Sequence, residues 1–416
     1  MKKIIIWFTL IILLIPSSKV LAENLDIGKN VSIDRFDDIV QKALKKSKTP
    51  GAAIAIVSED DVQIRNYGYA DLDDGTKVSE DTLFELGSMS KAFTALGILY
   101  LEQEGSLSLK DNINKYIPGL NFNFKGEYRG QSIDGEVSVT IENALYQTTG
   151  IPFQTIGYIP EGNSDDMLLN TVYTLDGVYL DYYPGTRYSY ATVNYDILGL
   201  IIQNISGQSY ENFIIERILV PLKLNQTYLS QDQAAKTGKL AKGYKTEFFS
   251  AMEYDAPRYR GNAPAGYVIS SASDMARWIG IQMGIVDIPD KYKELIRKSH
   301  IGDTTVASHG DFLYASGWNV HLRGESIIHG GSNPNYSSNI EINNENKIGI
   351  CVLTNKNSNV ANYTTENFYK LLSKQNIANY KSDTYQRMDS IFSVLFLCAV
   401  IFIVLYFILL LLASKR

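Results

Sequence analysis

Apolar residues are concentrated at the two termini, and the chain between them mixes strand-like runs with helical spacing. At the start, Lys2 and Lys3 precede an apolar run at 4–15, Pro16 breaks it, and Val20-Leu21-Ala22 offers small residues for cleavage. That order predicts a secretory signal peptide over 1–22, with an uncleaved anchor as the other reading. At the far end, residues 391–413 carry no charge. At ~1.5 Å per residue a helix of that length crosses a hydrocarbon core of ~30 Å, so a transmembrane helix is expected, a buried core helix being the alternative. Lys415 and Arg416 favour a cytoplasmic tail at 414–416, although Lys381 and Arg387 weaken the charge asymmetry. The domain at 23–380 is then expected outside the cell membrane, on a short polar tether at 381–390.

Within that domain, 51–57 is a small-residue, β-rich apolar run and 62–69 alternates, with Asp60-Asp61 between them. This predicts a hairpin. A helix is expected over 88–103, where Phe93, Leu96, Leu99 and Tyr100 fall at helical spacing and Gly105 stops it. Residues 107–260 read as mixed, mostly helical or looped, with helices at 194–204 and 211–219. Another helix opens at 272–283 after Ser270-Ser271, and strands follow at 313–322, 326–329, 337–342 and 348–354. A last helix fits 364–372. Strands at both ends with helices between imply one sheet built from distant segments, with the helical middle as a second lobe. No internal repeat is present.

Of the 416 residues, 45% are hydrophobic and 20% charged, enough for a sizeable core. The net charge is -6 and no Lys/Arg-rich tract occurs, which argues against nucleic acid as a partner. Cys351 and Cys398 lie in separate apolar runs, so no disulfide is expected. His300, His309, His321 and His329 form no HxxxH pair, so no metal is expected.

The candidate chemistry begins at Ser88-Met89-Ser90-Lys91. A serine hydroxyl needs a base nearby to become a nucleophile. Positions i and i+3 at a helix start share a face, and a partly desolvated lysine is pushed toward its neutral, proton-accepting form. Ser88 is the only serine followed by lysine at that spacing. Taken alone, the motif reads equally well as an N-capping serine with a surface lysine.

The surrounding sequence is more specific. FELGSMSKAFTALGILYLEQEGSLSLKDNINKYIP, at 84–118, resembles the active-site helix of the serine β-lactamase and penicillin-binding-protein superfamily, above all its class C β-lactamase-like branch. Tyr146-Gln147-Thr148-Thr149-Gly150-Ile151-Pro152 is similar to that family's THTSGLP segment, and Tyr183-Pro184-Gly185 through 194–199 to its second motif region. Pro221-Leu222 and GYVISSASDMAR at 266–277 also match, in the family's order. The resemblance covers nearly the whole domain. It implies an α/β, two-lobed fold: an antiparallel sheet flanked by helices plus a mostly helical lobe, with the site between them. It also implies that no organic cofactor is needed.

It further implies roles. Ser88 is the nucleophile and Lys91 its base. Tyr190 matches the tyrosine of the family's Tyr-x-Asn, which shares protons with nucleophile and leaving group; a phenol beside a cation is expected to lose its proton more readily. Thr192 replaces the asparagine, which puts a substrate contact in doubt. Tyr188 is a rival register for Tyr190. His329-Gly330-Gly331 matches the family's Lys-Thr-Gly or His-x-Gly strand, and the N–H groups of Ser332 and Ser88 would form the oxyanion hole. Candidate substrates are D-residue peptides, peptidoglycan stem peptides, small esters and D-alanyl esters, possible partners being cell-wall derived. The rival functions are a β-lactamase and a non-catalytic penicillin- or wall-binding protein.

Overall fold

The run at 51–57 shows no alternation because both of its faces are covered. The computed structural model describes residues 33–414; the expected signal peptide, Lys415 and Arg416 lie outside them. Strand β1, Gly51–Ser58, is buried along its whole length. Ala52, Ile54 and Ile56 pack with helix α1, Ile33–Ser47, and with the helix Val360–Leu372, while Ala53, Ala55 and Val57 face a larger core containing Trp278 and Leu353. Period-2 geometry thus sends alternate apolar side chains into two different cores. Strand β2, Val62–Gly68, lies at the sheet edge and keeps its exposed positions.

The other strands of this sheet are β3 (Phe312–Tyr314), β4 (Asn319–His321), β5 (Ser326–Ser332), β6 (Ser337–Asn343) and β7 (Ile348–Thr354). The order is β3-β4-β5-β6-β7-β1-β2, antiparallel throughout, with Ala52 opposite Thr354. The sheet is therefore closed by segments from opposite ends of the domain, as expected. The expected strand at 313–322 is two strands. Gly317 turns the chain between them with φ +81, where the backbone of Lys91 and Ala92 leaves no room for a side chain.

Helix α2, Lys91–Gln103, is buried on almost every side. It packs on helix α3, Val193–Ser206. A Cβ on Gly97 would lie 2.8 Å from the Ile202 and Ile214 side chains, so the glycine sets how closely the helices approach. Phe93 stacks on Trp278 of helix α4, Ala272–Gln282, with ring centroids 4.4 Å apart. These contacts fix α2 between the lobes.

The middle of the chain holds more strand than its sequence suggests. Phe122–Tyr128, Gln131–Val137 and Val178–Leu180 form a small sheet, and Tyr244–Glu247 pairs with Ser250–Glu253 as a hairpin. The tether expected at 381–390 is also more ordered. A single helix, Thr384–Ala413, takes in most of it, capped by Asp383, whose carboxylate accepts from Gln386 N–H at 2.7 Å. Gln386 in turn donates to the Lys46 carbonyl at 2.6 Å, so this end is docked on the domain. By length and apolarity the helix is long enough to cross a membrane.

Candidate active site

The chain enters the site through a tight seam. After the short strand Leu83–Glu85, residues Gly87–Ser90 form a 3₁₀ turn that leads into α2. Gly87 has φ +54, and a Cβ there would lie 2.5 Å from the Ser332 nitrogen. On the facing strand β5, a Cβ on Gly331 would lie 2.0 Å from the Leu86 carbonyl oxygen. Two glycines let β5 press directly against the serine-bearing turn.

Ser88 stands at this seam with two partners. Lys91 Nζ lies 3.2 Å from its Oγ, and the Tyr190 hydroxyl donates to it at 3.0 Å. Ser90 is fully buried and engaged with backbone: its hydroxyl donates to the Gly87 carbonyl and accepts from Val268 N–H. Tyr188 stacks on His309 instead, with centroids 3.8 Å apart. The geometry places Tyr190, and not its rival, on Ser88.

Lys91 is wholly buried. Besides Ser88, its Nζ reaches Thr192 Oγ1 at 3.0 Å and the Ala265 carbonyl at 2.8 Å. A neutral amine can donate to those two and present its lone pair to the Ser88 hydroxyl. Burial pushes the lysine down to about 7, opposed by the charge of Asp196. Thr192 is thus buried on the lysine rather than offered to a ligand.

Asp196 was not singled out by sequence reasoning. It is fully buried on α3, accepts from Asn262 Nδ2 at 2.7 Å, and has its other oxygen unpartnered. Burial pushes its carboxyl upward, opposed by the Asn262 hydrogen bond and the Lys91 charge. The usable signal was a lone carboxylate inside the apolar run 193–202. The expected ease of Tyr190 deprotonation is corrected: burial drives its phenol upward and outweighs the hydrogen bond at Ser88, so it holds its proton.

His329 is buried beneath the cleft. Its Nδ1 meets the Gly330 carbonyl at 2.7 Å and must donate, so Nε2 accepts from the Tyr314 hydroxyl at 3.3 Å. Burial, with Lys91 nearby, lowers the imidazole to about 4, which keeps it neutral. Asn333 N–H bonds back to Tyr336 in the hairpin. Antiparallel alternation then turns the neighbouring Ser332 N–H to the opposite edge, toward Gly87. Ser332 is exposed, its hydroxyl accepting from Asn357 at 3.1 Å. Gly330 and Gly331 lie between these two residues on β5. Among the described residues no His, Cys, Asp and Glu cluster could hold a metal.

A polar cavity of about 870 Å³ lies nearby, lined by Glu85, Arg258 and Tyr267 among others, and contains none of the Ser88 group. Glu85 is pushed up to about 7 by burial and is held by Asn333 at 2.6 Å.

Known proteins share this construction. The family model described as Beta-lactamase matches residues 36–374. Protein flp of Staphylococcus aureus strain MRSA252 is 35% identical over 331 residues, which are 79% of this chain and 64% of that protein. A penicillin-binding protein homologue from Pyrococcus abyssi, described as octameric, superposes with TM-score 0.68 at 25% identity, covering 84% of this chain and 78% of that one. A class C beta-lactamase gives TM-score 0.67 at 26% identity over 84% and 97%. With a family model spanning most of the domain and the β-lactamase/transpeptidase fold around the Ser88 seam, the chain belongs to the beta-lactamase family.

Proposed function

We propose that this protein is a membrane-anchored, extracytoplasmic serine hydrolase that forms an acyl-enzyme with peptide, amide or ester substrates. The observation that carries the reading is the Ser88 hydroxyl held between Lys91 Nζ at 3.2 Å and the Tyr190 hydroxyl at 3.0 Å. Neutral Lys91 takes the Ser88 proton as Oγ bonds to the carbonyl carbon. The oxyanion faces the N–H groups of Ser332 and Ser88. As the intermediate collapses, the C–N or C–O bond breaks, the leaving group takes the proton of Tyr190, and the proton that Lys91 took from Ser88 is passed to Tyr190 to restore its hydroxyl. Water then attacks the ester by the reverse path and frees Ser88. Intact-mass analysis of the protein with a small panel of esters and D-amino-acid amides tests this. A mass increase that maps to Ser88 is expected; no adduct with any acyl donor or fluorophosphonate probe overturns it in favour of a non-catalytic binding protein.

β-Lactam hydrolysis is the second reading, favoured by the likeness to a class C beta-lactamase. Two features weigh against it. The position that would bind a β-lactam carboxylate holds His329, neutral and buried, and Thr192 is committed to Lys91. A charge-assisted hydrogen bond contributes about 1.5–3 kcal/mol, so substrates that need one should react orders of magnitude more slowly. Turnover of a chromogenic cephalosporin with kcat/KM near ~10⁶ M⁻¹s⁻¹ or above would reverse this ranking.

A further inference from the structure

The hairpin formed by Tyr244–Glu247 and Ser250–Glu253 pairs Glu247 with Ser250, which leaves Phe248-Phe249 as a two-residue loop. Both have positive φ, +45 and +61. A two-residue turn of that kind favours Asn-Gly or Gly-Gly, and a bulky side chain there is strained. The chain keeps two phenylalanines where glycine would relieve the backbone, and both rings are substantially exposed, at 51% and 39%. The side chains are therefore what the position serves.

Their neighbour is the helix Thr384–Ala413. The Asp389 carboxylate accepts from Phe248 N–H at 2.9 Å and from Phe249 N–H at 3.0 Å, locking the turn onto the helix just before the uncharged run begins. The Phe248 ring meets the Phe396 ring edge-on at 5.4 Å. Phe396 lies ~8 Å along the uncharged run at ~1.5 Å per residue. Apolar groups that rest at the headgroup–acyl boundary reach a depth of ~5–10 Å, and aromatic rings are enriched there.

We propose that Phe248 and Phe249 enter the outer leaflet beside this helix, so that the catalytic domain is held to the lipid at two points. The proposal rests on the reading of Thr384–Ala413 as a membrane span. The other end of the hairpin is tied to the site. Tyr244 N–H bonds to the Asn355 carbonyl at 2.9 Å, Asn335 Nδ2 to the Tyr254 carbonyl at 3.0 Å, and the Tyr336 hydroxyl to the Ala241 carbonyl. Asn335 and Tyr336 form the turn that follows Ser332. The hairpin is thus a strut of roughly 13 Å, at ~3.3 Å per residue, between the lipid and the substrate-facing strand. A two-point attachment fixes the tilt of the cleft and favours acyl donors presented close to the membrane surface.

The test uses the full chain in phosphatidylcholine–phosphatidylglycerol vesicles, in parallel sets containing lipid brominated at shallow acyl positions for the hairpin and at deep acyl positions for the span. Phe249→Trp reports on the hairpin and Phe402→Trp on the span; the parent protein, with Trp278 and Trp318 buried, supplies the baseline, and every protein in the series carries Trp7→Phe to remove the third tryptophan. Phe248→Trp is a second reporter should Phe249→Trp fail to fold. The expected result is a blue-shifted, bromine-quenched signal from both reporters. Quenching of Phe402→Trp alone overturns the proposal and leaves the span intact. A blue shift at Phe249→Trp without quenching means that protein covers the tip, and also overturns it. Quenching of neither removes the span reading, and the proposal with it.

Discussion

Among the described residues two lysines, Lys91 and Lys356, are wholly buried, and what separates them is their company. Lys91 and Lys356 each donate to a backbone carbonyl at 2.8 Å, that of Ala265 and that of Ser47. Burial lowers both, to about 7 and about 8. Lys356 ties the end of β7 to the end of α1 through that one carbonyl. Lys91 has two hydroxyls, and one of them is also held by a tyrosine. A lowered lysine is therefore not itself a sign of chemistry. The sign is a lowered lysine whose lone pair has a hydroxyl to act on.

The comparison can be broken at the hydroxyl. Ser88→Ala leaves Lys91 with the Ala265 carbonyl and the buried Thr192 hydroxyl but no nucleophile, close to the situation of Lys356. Probe labelling and hydrolysis should vanish while circular dichroism stays unchanged. Labelling that persists, or that maps to Ser90, refutes the assignment. Next in size, Lys91→Ala and Tyr190→Phe should each lower kcat/KM by ~10²-fold or more, as expected for a lost general base or acid. Because both act on one proton path, the double variant should lose far less than the product of the two. A crippling Tyr188→Phe beside a silent Tyr190→Phe would show that the register is misplaced.

Lys356→Met should do the opposite. The Ser47 carbonyl loses its donor, an effect of about 1–3 kcal/mol on stability, and kcat of the folded protein should not change. Denaturant melts beside kinetics separate the two lysines. The smallest effect is in pH. If neutral Lys91 is the base, kcat/KM should climb as pH rises through about 7 and then level off. For stability, a lysine lowered in the folded state binds more protons when unfolded, so its contribution grows as pH rises from the folded value toward 10.5. Lys356→Met should flatten the rise in Tm between about pH 8 and 10.5. A rise of the same steepness in that variant would contradict the assignment.

What could be read from the sequence follows from how local each signal was. Ser88 and Lys91 sit one helical turn apart, so spacing alone placed them on one face. β1 and β7 are apolar throughout, and their burial was plain in composition. The hairpin over 122–137 was missed because Lys125, Glu127, Asp134 and Glu136 face solvent and Gly126 and Gly135 interrupt both strands. Asp196 was missed because a lone carboxylate in an apolar run marks a buried charge without naming its partner; that partner, Lys91, is brought near only by the packing of α2 on α3. The sequence placed His329 on the right strand but could not show that its ring turns inward to Tyr314. Polarity at 381–390 suggested a linker, yet Asp383 was a legible helix cap.

The pairing of β1 with β7 has a consequence for how the molecule is made. Ala52 meets Thr354, so the centre of the sheet waits for nearly the whole domain to be synthesised. Closing a loop of that size is entropically costly and slow, and little local structure rewards it beforehand. A nascent chain that has emerged only as far as β6 offers β1 no partner on one edge. It therefore stays open and is vulnerable to aggregation or proteolysis. For the extracytoplasmic enzyme proposed above, that delay would be useful: the chain remains unfolded and transportable until its last strand arrives. Moving the ends by circular permutation, with new termini in the β5–β6 turn and the old ones joined, should bring β1 and β7 together early and give a domain that folds sooner and is exported less well.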